Sequence, residues 1–89
     1  MDEILRSKDN TPLLEVCAVR PLDGYNIWVR FTNGESRTVD MSPLLDQPAF
    51  LPLKDKSVFD GVYIDYGCTV WLDGDVDVAP EYLLINGKQ

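Results

Sequence analysis

Trp71-Leu72-Asp73-Gly74-Asp75-Val76-Asp77-Val78-Ala79-Pro80-Glu81-Tyr82-Leu83-Leu84 joins a strand end, a tight turn, an extended piece and a helix start. Asp73-Gly74 supplies turn chemistry, and Asp75 to Val78 reads as extended. Pro80 suits the first position of a helix, where its missing N–H costs nothing. Glu81 in the first turn meets the positive end of the helix dipole, and Asn86-Gly87 closes the helix after about Ile85. Asp77 is placed to accept a hydrogen bond from the backbone at the helix start. This stretch predicts a mixed α and β domain packed around Trp71.

Working outward, Val62 to Tyr66 and Thr69 to Leu72 form a hairpin turning at Gly67-Cys68. Val62, Ile64 and Tyr66 share one face; Tyr63 and Asp65 share the other. Lys54 to Asp60 is a helical turn with Val58 and Phe59 inward, closed by Gly61. Phe50-Leu51-Pro52-Leu53 is an apolar connector, too rich in proline for a central strand. Ser42-Pro43-Leu44-Leu45 predicts a short helix with Ser42 as N-cap, stopped by Pro48.

The first half carries a second hairpin. Tyr25, Ile27, Val29 and Phe31 alternate with Asn26, Trp28, Arg30 and Thr32, a half-buried strand. Asn33-Gly34 turns the chain. A two-residue loop would set Arg30 opposite Arg37, which like charges disfavour. A three-residue loop with Gly34 at the bulge sets Ile27 opposite Val39 and Val29 opposite Arg37, and this register is expected. Leu13 to Arg20 is the first strand, with Leu14, Val16 and Ala18 on one face. Residues 1–12, polar around Ser7-Lys8-Asp9-Asn10-Thr11-Pro12, read as a flexible leading segment.

Eighty-nine residues make one domain. Hydrophobic residues form 45% of the chain, too many for a disordered segment. No apolar run approaches the ~20 residues that span a bilayer. The start Met1-Asp2-Glu3 lacks a secretion signal, which favours a cytoplasmic address. Eight basic residues face 15 acidic ones, a net charge of −7. That charge opposes phosphate backbones and anionic membranes and favours a basic protein partner. The two cysteines, Cys17 and Cys68, are expected as free thiols. With no histidine and no CxxC, His-based acid–base chemistry, Ser-His and Cys-His nucleophile systems and the usual zinc sites are excluded.

The ordered set Val29-Arg30-Phe31, Asn33-Gly34-Glu35, Val39-Asp40 before a Leu-Leu helix, Phe59, Trp71, the Gly74 turn, Asp77-Val78 and Pro80-Glu81-Tyr82-Leu83 resembles the domain of unknown function 2442 family. The likeness covers about residues 13–84. It implies a small bacterial α+β domain, found in some longer proteins beside a helical, DNA-binding type of second domain. The sequence as it stands ends at Gln89 without one, so DNA binding is not expected. The resemblance also implies a partner protein encoded beside it, in a toxin–antitoxin type of arrangement. It supplies no catalytic residue.

Three constellations bear on chemistry. Asp73, Asp75 and Asp77 begin like a calcium loop, but its sixth and twelfth positions need Gly and Glu, and here they are Val78 and Leu84. No metal site is expected, and a weak cation or small-ligand site at 73–77 is the alternative reading. Asp40, Asp65 and Asp77 read as turn and helix-start carboxylates rather than a catalytic set. Trp28 and Trp71, with Tyr25, Tyr63, Tyr66 and Tyr82, lack the basic groove of a stacking platform. Trp71 reads as core and Trp28 as half-buried on the outer face. Trp28 flanked by Arg30 and Arg37 has the composition of an interface hot spot, and these three are the expected partner-binding residues.

The fold class is α+β: a small antiparallel sheet of four to five strands from two hairpins, covered by two to three short helices, as one domain over residues 13–89. The expected function is a non-enzymatic protein-interaction module without a cofactor, antitoxin-like or regulatory, with a basic partner. Homodimerisation through an edge strand stays open.

Overall fold

The computed structural model describes residues 14–89. The expected leading segment 1–12 and Leu13 lie outside the described residues. Three antiparallel strands, β1 (Val16–Pro21), β2 (Asn26–Phe31) and β3 (Ser36–Asp40), form the first sheet in the order β1-β2-β3. Ile27, Val29, Phe31 and Val39 are buried, because alternation puts them all on one face. The β2–β3 register pairs Ile27 with Val39 and Val29 with Arg37, as the hairpin argument requires. Gly34 takes φ +92°, and its N–H donates to the Phe31 carbonyl at 2.9 Å.

β1 departs from simple alternation. Its register against β2 shifts between Val16 and Ala18, so that Val16 faces Phe31 and Val19 faces Val29. The extra residue is Cys17, which is exposed. A bulge of one residue reverses parity. Ala18, expected inward with Val16, therefore lies with Arg30, and Arg20 lies with Trp28.

Between the hairpins the chain makes short 3₁₀ turns at Ser42–Leu44 and Pro48–Lys54 and one helical turn, α1 (Lys56–Phe59). The first turn is capped differently from the sequence reading. Met41 is the N-cap, and the Asp40 carboxylate accepts from both the N–H and the hydroxyl of Ser42. Asp55 does the same for Ser57 at α1. A carboxylate reaches two residues ahead more readily than a serine hydroxyl reaches its own helix start.

The second sheet is also three-stranded and antiparallel: β4 (Tyr63–Asp65), β5 (Cys68–Trp71) and β6 (Val76–Val78), in that order. Six strands in two sheets replace the expected single sheet of four to five. Val76 and Val78 pair across β5 with Trp71 and Thr69, so the piece after Gly74 is a full strand. The β4–β5 turn is Tyr66-Gly67 rather than Gly67-Cys68. Both residues have positive φ, +50° and +76°, as a type I′ hairpin turn requires. Tyr66, expected as a strand residue on one face with Val62 and Ile64, stands 93% exposed at the tip. The two sheets meet where the Val16 N–H donates to the Gly67 carbonyl at 2.8 Å.

The core joins both inner faces. Trp71 is fully buried; its Nε1–H donates to the Phe59 carbonyl at 2.8 Å and its ring stacks on Phe59 at 6.0 Å. Tyr25 meets Phe59 edge-on at 5.2 Å. Helix α2 (Pro80–Asn86) buries Leu83 and begins at Ala79 with no side-chain cap, so Asp77 is a strand residue rather than a cap. After Gly87 the chain pairs with β3 through reciprocal Thr38–Lys88 bonds of 2.7 and 2.8 Å. Among the described residues no helix is long and apolar enough to cross a membrane.

Candidate interaction surfaces

The strand pleat gives each sheet an outer face turned away from the core. On the first sheet, Trp28 sits half-buried at the centre of β2. Its cross-strand neighbours are Arg20 on β1 and Thr38 on β3. The Arg20 guanidinium lies over the indole, 5.9 Å from its centroid, a cation–π arrangement. Arg30, two residues along β2, shares the face and is exposed.

The expected trio of Trp28, Arg30 and Arg37 is not brought together. Arg37 pairs with Val29, so it leaves β3 on the core side. Its side chain is only 13% exposed, pairs with Glu35, and donates to the Ser36 carbonyl at 2.8 Å. The second arginine beside Trp28 is Arg20. Sequence alternation hides it, because only the bulge at Cys17 turns Arg20 outward.

On the second sheet, the outer face carries Tyr63 and Asp65 from β4, Cys68 and Val70 from β5, and Asp77 from β6. Asp73 and Asp75 flank this face in the turn after β5, and Glu81 stands at the start of α2. Their field acts on its two titratable neighbours. Desolvation, then Asp73, Asp65 and Asp75, pushes the Tyr63 phenol above its ordinary value. Burial, then Asp77, Glu81, Glu15 and Asp65, pushes the Cys68 thiol up. Negative charge disfavours a further anion in both cases. Asp40 belongs to the other sheet, where Ser42 holds its carboxyl below the usual range. It does not join Asp65 and Asp77.

Among the described residues no group of three or more His, Cys, Asp or Glu side chains gathers as a metal site would require. Cys17 and Cys68 are free thiols. The two outer faces carry charge and aromatic side chains.

The family model described as "Protein of unknown function (DUF2442)" matches residues 16–89. The chain belongs to the DUF2442 family. The match runs from the first residue of β1 through both sheets, α2 and the Lys88 bridge. No curated protein and no solved structure matches the chain. The chemistry of this DUF2442 member is thus read from its own two faces, one aromatic and cationic, the other acidic.

Proposed function

We propose that this DUF2442 protein is a non-enzymatic protein-interaction module of the bacterial cytoplasm, acting as an antitoxin-like or regulatory subunit of a basic partner. The observation that carries the reading is the outer face of the second sheet. There Asp65, Asp73, Asp75, Asp77 and Glu81 gather around Tyr63 and Cys68; burial raises both of their pKa values, and the carboxylate charges add to the rise. Such a field speeds encounter with a positively charged protein and fixes its orientation. Exposed Tyr63 and Tyr66 add aromatic contact area of the kind interfaces favour. Two free cysteines suit a reducing compartment.

The test is capture from native lysate by tagged protein beside an Asp65→Lys/Asp77→Lys variant, read by mass spectrometry. Both side chains are exposed strand positions, so the variant should keep its fold, checked by thermal melting. A basic protein held by the wild type and lost by the variant supports the reading. Equal capture by both proteins removes this face from it.

A further inference from the structure

The outer face of the first sheet differs in charge from the acidic face of the second. On the first sheet, one row runs across the strands from Arg20 to Trp28 to Thr38, and the C-terminal bridge extends it to Lys88. Antiparallel partners share a face, so the row is outward along its whole length. Arg30 stands one step along β2 from it. The described residues hold six cations. Arg37, Lys54 and Lys56 pair with Glu35, Asp46 and Asp60. The other three, Arg20, Arg30 and Lys88, all lie on this one face, and among the described residues no carboxylate forms an ion pair with them.

Two depressions mark the ends of the row. One, of about 430 Å³, is lined by Arg20, Leu22 and Trp28. The other, of about 190 Å³, is lined by Asn26, Thr38, Asp40, Asn86 and Lys88. Asp40 is the carboxylate at this corner; it accepts two hydrogen bonds from Ser42, and its charge also acts on Lys88 without an ion-pair contact. We propose that this face docks an extended protein segment with carboxylates at both ends of a five-residue stretch and an apolar side chain at its centre.

The spacing follows from strand geometry. The three strands and the Lys88 bridge beside β3 set Arg20 and Lys88 about 14 Å apart, at roughly 4.8 Å per step across the sheet. An extended segment crossing the sheet places side chains i and i+4 about 13 Å apart on one face, with i+2 between them. One carboxylate then reaches Arg20, the other reaches Lys88, and the central side chain covers Trp28 and Thr38. Arginine beside tryptophan is the pairing that anchors such contacts. A nucleic acid fits less well. Its phosphates continue beyond three cations into a surface of net charge −7.

The experiment is a titration of the ¹⁵N-labelled full chain with the capped peptide Thr-Asp-Thr-Leu-Thr-Asp-Thr. The two indole N–H signals are assigned with Trp28→Phe. The Trp28 indole and the amides of Arg20, Thr38 and Lys88 should shift while the Trp71 indole stays still. An Arg20→Glu/Lys88→Glu variant should bind about tenfold more weakly or worse. Its fold is verified by the unmoved Trp71 indole. Arg20→Gln, a milder change at an exposed site, should give an intermediate loss. Replacing both Asp residues of the peptide by Lys should abolish the shifts.

No shift at millimolar peptide overturns the proposal, as do shifts that survive in the double variant. An oligothymidylate that moves the same resonances at lower concentration assigns the face to nucleic acid instead. The surface lies on the other sheet from Asp65 and Asp77, so this proposal and the basic-partner reading fail independently.

Discussion

At the scale of single residues, the domain contrasts a fully used tryptophan with a strained tyrosine. Trp71 fills the junction of the two sheets and spends its one donor on the Phe59 carbonyl. Trp71→Phe removes that donor, strands a buried carbonyl and leaves a void where the larger ring sat. The expected loss is about 2–4 kcal/mol, read as a lower urea midpoint with an unchanged slope. Tyr66 presents the opposite case. It holds φ +50° while 93% exposed, so it bears the left-handed conformation without packing to offset it. Tyr66→Asn should stabilise the protein by about 0.5–1 kcal/mol, because asparagine suits a type I′ turn. A melting curve checks this, and a fall in Tm would contradict it. If Tyr66 is also an anchor for the basic partner, the same variant gains stability while losing capture.

At the scale of elements, close approach and capping set the weak points. Gly87 lets the chain leave α2 and pair with β3. A methyl group there would meet the Arg37 Cβ at 2.6 Å and the Leu83 carbonyl oxygen at 2.7 Å. Gly87→Ala should cost about 1–3 kcal/mol by overpacking, and faster hydrogen exchange at Thr38 and Lys88 would locate the damage. At α1, both Ser57 bonds hold the Asp55 carboxyl below its ordinary range. The folded state therefore binds a proton less readily than the unfolded chain. Its stabilisation is full above the unfolded value of about 3.9 and is lost as pH falls through the lower folded value. Asp55→Ala should lower Tm at neutral pH, with the gap to wild type closing only below about pH 4. A gap that does not change with pH would show that the carboxylate charge is irrelevant. These elements were unequally legible in the sequence. Alternation from Tyr25 to Phe31 and the Asn33-Gly34 turn sufficed for the β2–β3 register, because like-charge repulsion removed the alternative. The bulge at Cys17 left no signal, since nothing in Val16-Cys17-Ala18 distinguishes it from a regular strand. Arg20 was overlooked for that reason. Arg37 was misplaced beside Trp28, although the same register argument already paired it with Val29. The strand at Val76–Val78 was read as merely extended, because three residues of alternation are too few to establish pairing.

At the scale of the whole molecule, two small sheets share one core and turn unlike faces outward. Among the described residues the cations outside ion pairs gather around Trp28, while carboxylates crowd Tyr63 and Cys68. Net charge alone, −7 over the chain, conveys the acidic character but not this sorting, which depends on which residues the pleat sends outward. On the proposed reading, a basic partner meets the acidic outer face of the second sheet. The most direct measurement of that central claim is the salt dependence of capture by wild type and by Asp65→Lys/Asp77→Lys. Screening shortens the reach of charge from about 10 Å at 0.1 M to about 3 Å at 1 M ionic strength. The account predicts a basic protein that wild type holds at low salt and releases steadily as salt rises, and that the variant does not hold at any salt. Capture that is indifferent to both salt and the charge reversal would contradict it.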